Sequence, residues 1–189
     1  VLEGGDGADR LVGGGGVDTA DYRASPAPVT VDLADGSGHG GDAEGDVLQD
    51  IDALLGSPYD DTLRGDAGTN RLTGGLGRDT LAPGAGSDDV RFGFGASDDL
   101  LQEQGDAADV DRVLLDAAVQ PADVGLVRRG ADLYLELERG PAFLVDTLTV
   151  EGHFDGEATG IEQIVFGDGT VWDRGEIEAR TRGSSFNAV

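Results

Sequence analysis

The chain of 189 residues sets 38 acidic side chains against 13 basic ones, a net charge of −25, and this argues against nucleic acid as a partner because polyphosphate binding rests on basic side chains. All the basic residues are Arg, which removes the P-loop lysine and lysine Schiff-base chemistry. With no Cys there is neither a disulfide nor a thiolate metal site, so a secreted chain of this make-up needs another staple.

Residues 4–21 form two nine-residue units, GGDGADRLV and GGGGVDTAD, with Asp9 and Asp18 at the sixth position and Leu11 and Ala20 at the eighth. The period breaks over 22–55. There Val29, Val31 and Leu33 alternate as a half-buried strand, and the polar stretch DGSGHGGDAEGD precedes Val47, Leu48, Ile51, Leu54 and Leu55. This segment is expected to form irregular coils of the same stack with a long surface loop. Two readings stand open for that loop: a solvated acidic surface, or a further calcium site from Asp42, Glu44 and Asp46, with Asp46 two residues before Leu48. His39, without a second His or Cys beside it, makes a poor transition-metal site.

From Gly56 to Arg91 the sequence divides into four nonapeptides without remainder, GSPYDDTLR, GDAGTNRLT, GGLGRDTLA and PGAGSDDVR. The sixth residues are Asp61, Asn70, Asp79 and Asp88; the eighth are Leu63, Leu72, Leu81 and Val90. Six glycine-rich residues followed by three with an apolar centre describe a tight turn and a very short strand pointing that centre inward. Two units make one flattened coil. In the stretch after Arg91 the frame slips by one residue, and Asp98 is taken as the next sixth-position residue because Leu100 follows it at the right spacing. Phe92 and Phe94 are expected to plug the coil end.

Residues 112–172 are richer in β-branched and aromatic residues. Strands are expected at 112–116, 124–128, 133–138, 146–150, 161–166 and 170–172, with hairpin turns at Arg129-Gly130 and Gly167-Asp168-Gly169. Leu133, Leu135 and Leu137 should face a core that also takes Phe154, Phe166 and Trp172; lining of a sugar site is the competing role for the aromatics. A strand stack leaves an edge that needs covering, and this region is the expected cap. Residues 173–182 have helical character and 183–189 are expected to be mobile. The segments are thus 1–21, 22–55, 56–101, 102–172 and 173–189. No run has the length of a transmembrane helix and no signal peptide is visible; the start at Val1-Leu2, directly before a repeat, suggests a piece of a longer chain.

Glycine turns let main-chain carbonyls converge while Asp adds carboxylates, and clustered hard oxygens without waters favour calcium over magnesium. Aspartates stacked at strand spacing, about 4.8 Å, repel by roughly 3.5 kcal/mol per pair at an effective dielectric near 20. A domain's whole stability is about 5 to 15 kcal/mol, so a few uncompensated pairs erase the fold and a divalent cation between the turns reverses the sign. Folding is therefore expected to require calcium, with a disordered chain in its absence.

The quoted nonapeptides resemble those of the RTX (repeats-in-toxin) haemolysin-type calcium-binding family, and GADLYLEL, TVEGHF and IEQIVFGDGTVW are similar to its C-terminal flanking region. The resemblance implies an all-β fold: a parallel β-roll, a right-handed β-helix of nonapeptide repeats, with an antiparallel β C-terminal capping region. It also implies calcium on Asp9, Asp18, Asp61, Asp79, Asp88 and Asp98, on Asn70 and Asp46, and in turns opened by Gly4, Gly13, Gly56, Gly65 and Gly74. Roughly four to six ions follow from the stacked turns. Asn70 is neutral and weakens its site, while Ser57-Pro58 and Pro83 restrict turns that otherwise begin with glycine.

By the same resemblance the protein is secreted by a bacterium through type I secretion machinery and folds on meeting external calcium, as a non-catalytic module of a larger toxin, protease, lipase or adhesin. No HExxH, GxSxG or EF-hand loop is present. A second reading is a calcium-dependent carbohydrate or surface-binding module of a polysaccharide-modifying enzyme or adhesin. A third is an enzyme whose active site straddles a missing N-terminal part.

Overall fold

The computed structural model describes residues 1–103, 105, 108–139, 144–156 and 159–182, so the tail at 183–189 expected to be mobile lies outside the described residues. The opening units give β1 (Arg10–Val12) and β2 (Thr19–Asp21), and the irregular insert gives β3 (Thr30–Asp32), β4 (Ser37–His39), β5 (Val47–Gln49) and β6 (Ala53–Leu55). The four central units give β7 (Thr62–Arg64), β8 (Arg71–Thr73), β9 (Thr80–Ala82) and β10 (Asp89–Phe92). After them come β11 (Asp98–Leu101) and β12 (Arg112–Leu115). Strands this short follow from the repeat, because each apolar eighth residue is flanked by turn residues that cannot extend the ladder.

Apart from β3, β4 and β5, which share one sheet, successive strands in the roll fall alternately on two sheets. One has the order β2-β6-β8-β10-β12; the other contains β1-β5-β4-β3-β7-β9-β11. Pairing is parallel throughout except around β4, which runs antiparallel between β3 and β5 and so inserts a hairpin into one sheet only. The eighth residues stack in register: Ala20, Leu54, Leu72, Val90 and Val113 in the first sheet, and Val31, Leu63, Leu81 and Leu101 in the second. All are almost wholly buried, so the interior is a narrow double column of aliphatic side chains. Each fully buried Leu contributes about 1.5 to 3 kcal/mol of transfer free energy.

The roll does not stop at Phe92. That residue is buried within β10 opposite Leu115 of β12, and Phe94 only packs partly against the core, so neither plugs an end. The remaining strands are β13 (Val124–Arg129), β14 (Asp132–Arg139), β15 (Leu144–Val150), β16 (Gln163–Val165) and β17 (Val171–Asp173). Here β15 lies parallel on β11 and β16 parallel on β12, after which β14 and β13 extend one sheet and β17 the other in antiparallel fashion. The expected hairpin turns are found, with Gly130 at φ 68° and Gly169 at φ 90°.

Leu133, Leu135 and Leu137 are fully buried, and Phe166 meets Trp172 edge-on at 4.7 Å between centroids. The helix α1 (Arg174–Arg182) follows, its first turn capped by Asp173 Oδ1 accepting the Glu176 N–H at 2.9 Å. It packs against β13, β16 and β17, burying Ile177. The described chain is therefore a parallel β-roll continued by antiparallel strands and one short helix. No helix among the described residues is long and apolar enough to cross a membrane.

Candidate metal centre

The sixth residues of successive coils form two rows, one along each edge of the roll. In the row before the second sheet, Asp61 Oδ1 accepts the Val29 N–H, Asp79 Oδ1 accepts the Asp61 N–H at 2.8 Å, and Asp99 Oδ1 accepts the Asp79 N–H at 2.9 Å. Asp9 and Asp46 form the same step at the other end, with the Asp9 N–H on Asp46 Oδ1 at 2.8 Å. In the row before the first sheet the Asp18 N–H donates to Asp52, Asn70 to Asp88, Asp88 to Asp111 and Asp111 to Glu162, at 2.7 to 2.9 Å. One oxygen of Asp46, Asp52, Asp61, Asp79, Asp88, Asp99, Asp111 and Glu162 is thus spent on the coil before it. In Asp61 and Asp79 the other oxygen lies against the glycine that opens its own turn.

At that second oxygen the turns divide. The turns opened by Gly4, Gly13, Gly74 and Pro83 have positive φ at their second and fourth residues, as at Gly75 (115°), Gly77 (109°), Gly84 (109°) and Gly86 (108°). In the turns opened by Gly56 and Gly65 no residue has positive φ. There the second residue turns its N–H inward: Ser57 donates to Asp61 Oδ2 at 2.6 Å and Asp66 to Asn70 Oδ1 at 2.7 Å. Ser57 Oγ adds a further bond to Asp61 Oδ1 at 2.8 Å. By contrast Asp79 Oδ2 and Asp88 Oδ2 have no protein donor, although both residues are 0 % exposed.

Orphaned, buried carboxylate oxygens beside glycine turns are what a hard cation needs and what a protein without one does not tolerate. The acid–base behaviour follows. Burial raises Asp79 to about 7, Asp88 to about 6, Asp99 to about 8 and Asp111 to about 7, with like-charged neighbours adding to each. Asp61 is also raised by burial, but its hydrogen bonds from Val29 and Ser57 oppose the shift. Space restricts the first position of the glycine-opened turns, although Pro83 occupies that position in the last repeat turn. A β-carbon at Gly74 or Gly56 would run into the carboxylate of Asp79 or Asp61, and one at Gly65 into Asn70 and the Pro83 carbonyl. At Gly13 it would meet the Asp50 carbonyl, and at Gly4 the Asp9 carboxylate.

The expectation for Asp98 needs correction. Asp98 points outward, its side chain 59 % exposed and paired to Arg78 at 3.3 Å, whereas Asp99 is buried and in the row. Two residues, not one, are added to this coil: Asp61 and Asp79 are 18 apart, Asp79 and Asp99 20 apart. Both Asp98-x-Leu100 and Asp99-x-Leu101 satisfy the local spacing, and only the stacking of Leu101 on Leu81 decides. Asp52, Asp111 and Glu162 were missed although each stands two residues before a buried apolar residue, namely Leu54, Val113 and Ile164. The acidic loop does not converge on a single point. Asp46 is held by the Asp9 N–H and the Tyr22 hydroxyl, Glu44 by the Gly40 N–H, and the Asp42 N–H bonds to Ser25 Oγ. Pro83 leaves its turn in the same conformation as the turn of Gly74.

A family model for the RTX calcium-binding nonapeptide repeat, in four copies, matches residues 1–21 and 55–90. A second, for the haemolysin-type calcium binding protein related domain, matches residues 132–176. No curated protein matches the chain significantly. The two matched regions hold the glycine turns and the antiparallel strands that continue them, and the chain belongs to the RTX haemolysin-type family, whose repeats bind calcium.

Proposed function

We propose that this chain is a calcium-dependent folding module of a larger secreted bacterial protein such as a toxin, protease, lipase or adhesin, exported unfolded by type I machinery, and that it carries no catalysis of its own. The supporting observation is the pair of fully buried carboxylate oxygens, Asp79 Oδ2 and Asp88 Oδ2, that no protein donor reaches. The ligands proposed are Asp79 and Asp88 first, then Asp9, Asp18 and Asp99, with carbonyls of the turns opened by Gly4, Gly13, Gly74 and Pro83. Asp61, Asn70 and Asp46 act in this reading as internally bonded rungs. The segments 1–21, 22–55, 56–101, 102–172 and 173–189 are proposed as its units. Bound calcium supplies the positive charge; the chain's own residues hold the oxygens in register. Weak sites, with dissociation constants of about 0.1 to 1 mM, stay empty inside a cell and fill outside it, where stabilisation grows with the logarithm of ion concentration.

Far-ultraviolet circular dichroism tests this directly. Coil is expected in chelator and β-structure on adding calcium, with magnesium at equal concentration ineffective; a folded spectrum in excess chelator at neutral pH overturns the proposal.

One observation favours the carbohydrate reading. A groove of about 470 Å³ on the second sheet is lined by the hydroxyls of Thr80, Thr147 and Thr149 and by the charged Arg78, Arg129 and Glu136, with Arg129 stacked on the Tyr134 ring at 4.4 Å; threonine hydroxyls and charged hydrogen-bonding groups suit a sugar's hydroxyls. Calcium-dependent signal on a glycan array supports it, and none on any glycan removes it.

A further inference from the structure

The row of carboxylates before the first sheet runs on past the last nonapeptide. Ten residues separate β11 from β12, against six in a glycine turn, and the last of them, Asp111, takes the place in the row next to Asp88. This stretch is fastened to the turn beneath it. Val110 N–H donates to Ser87 Oγ at 2.9 Å, Gly86 N–H to Asp109 Oδ2 at 3.3 Å, and Asp88 N–H to Asp111 Oδ1 at 2.9 Å. Two residues of this connection, Glu103 and Asp111, lie outside both family matches.

Glu103 is 6 % exposed, Asp111 3 % and Asp88 0 %, and one carboxylate oxygen of each lies within 4.8 Å of the other two. Gathering three such groups out of water without a cation is opposed by both desolvation and repulsion. The nearby guanidinium groups do not relieve it: Arg71 and Arg112 both pair with Asp89, at 2.8 and 2.7 Å, and not with Asp88 or Asp111. Independently of the cluster, Asp88 Oδ2 is buried without a donor.

We propose that Asp88, Glu103 and Asp111 form a three-carboxylate site for a hard cation, calcium in the protein's setting, that seals the end of the nonapeptide stack and ties it to β12. This rests on the calcium reading above and adds to it two ligands, Glu103 and Asp111, that no repeat supplies. The repeat turns bind through carbonyls and single carboxylates; three carboxylates make this the most negative site and so the tightest one, and the one that best accepts a trivalent lanthanide.

The test is the calcium count and affinity of the full chain, by native mass spectrometry and calorimetry, for the wild type, Glu103→Gln and the exposed control Glu138→Gln. Glu103→Gln is expected to bind one ion fewer, with at least tenfold weaker affinity in the tightest class, while calcium-induced β-structure persists; Glu138→Gln is expected to match the wild type. An unchanged count and affinity in Glu103→Gln overturns the proposal. A wild type that binds no calcium at all overturns the repeat reading and this site with it. Should Glu103→Gln fail to fold, wild-type crystals soaked in terbium decide. An anomalous peak among the three carboxylates supports the site; peaks at Asp79 with none here overturn it.

Discussion

Asp61 and Asp79 occupy the same position of the same repeat, are stacked one coil apart and are both buried, yet their surroundings differ. Asp61 has protein donors on both oxygens, from Val29 and from the backbone and hydroxyl of Ser57. Asp79 has one donor, and its Oδ2 has none. The same contrast separates Asn70, neutral and bonded to Asp66, from Asp88. The deciding residue is the second of the turn. Glycine there adopts positive φ and its N–H does not reach the carboxylate; Ser57 or Asp66 stays in the ordinary region and bonds it. Within one array, two adjacent turns close with the chain's own hydrogen bonds, and their stacked partners leave one buried carboxylate oxygen without a donor.

The largest effect should come from Gly74→Ala, which forces a methyl group against the Asp79 carboxylate. About 3 kcal/mol of lost stability is expected, measured by denaturant unfolding in saturating calcium, because the added methyl group overlaps the buried Asp79 side chain, which the Asp61 N–H holds in the row. The contrast is sharpest between Asp61→Asn and Asp79→Asn. The first should cost about 1 to 3 kcal/mol in the calcium-loaded fold and leave the calcium midpoint within a factor of two or so, since it removes charged hydrogen bonds rather than a ligand. The second should raise the calcium midpoint about tenfold or more, a shift of roughly 1.4 kcal/mol at minimum. Equal shifts in both variants would show that the two turns are not different in kind.

Acidification should partly replace the metal. Asp79, Asp88, Asp99 and Asp111 are raised in the fold to between about 6 and about 8, above their value of 3.8 in an open chain. The fold therefore takes up protons, and the stability they contribute is full below pH 3.8 and lost as pH rises through 6 to 8. His153 works the other way. Burial lowers it to about 4, so it costs stability as pH falls from 6.5 toward 4. With four groups against one, the β-signal in chelator should grow between pH 8 and pH 5, whereas a flat signal would mean the carboxylates are not what the cation offsets. The smallest effect is expected from Asp98→Asn, within about 0.5 kcal/mol with or without calcium, because its ion pair with Arg78 is exposed on both sides.

The nonapeptide period by itself determined the roll, because a six-residue turn and a three-residue strand admit one inward position, and Leu63, Leu72, Leu81 and Val90 all fill it. The alternation in the Leu133 stretch likewise determined which face of β14 is buried. Tertiary structure decided what local spacing left ambiguous. Asp98 and Asp99 fit the pattern equally until Leu101 stacks on Leu81, and Asp52 and Asp111 belong to the row only because β6 and β12 pair beside repeat strands. Glu103 meets Asp88 and Asp111 only after the chain has folded back over the turn of Pro83. Repeats are legible because each unit carries its own instructions; a site assembled from a repeat turn and the connection that folds over it is not, since no stretch of sequence contains the distance between them.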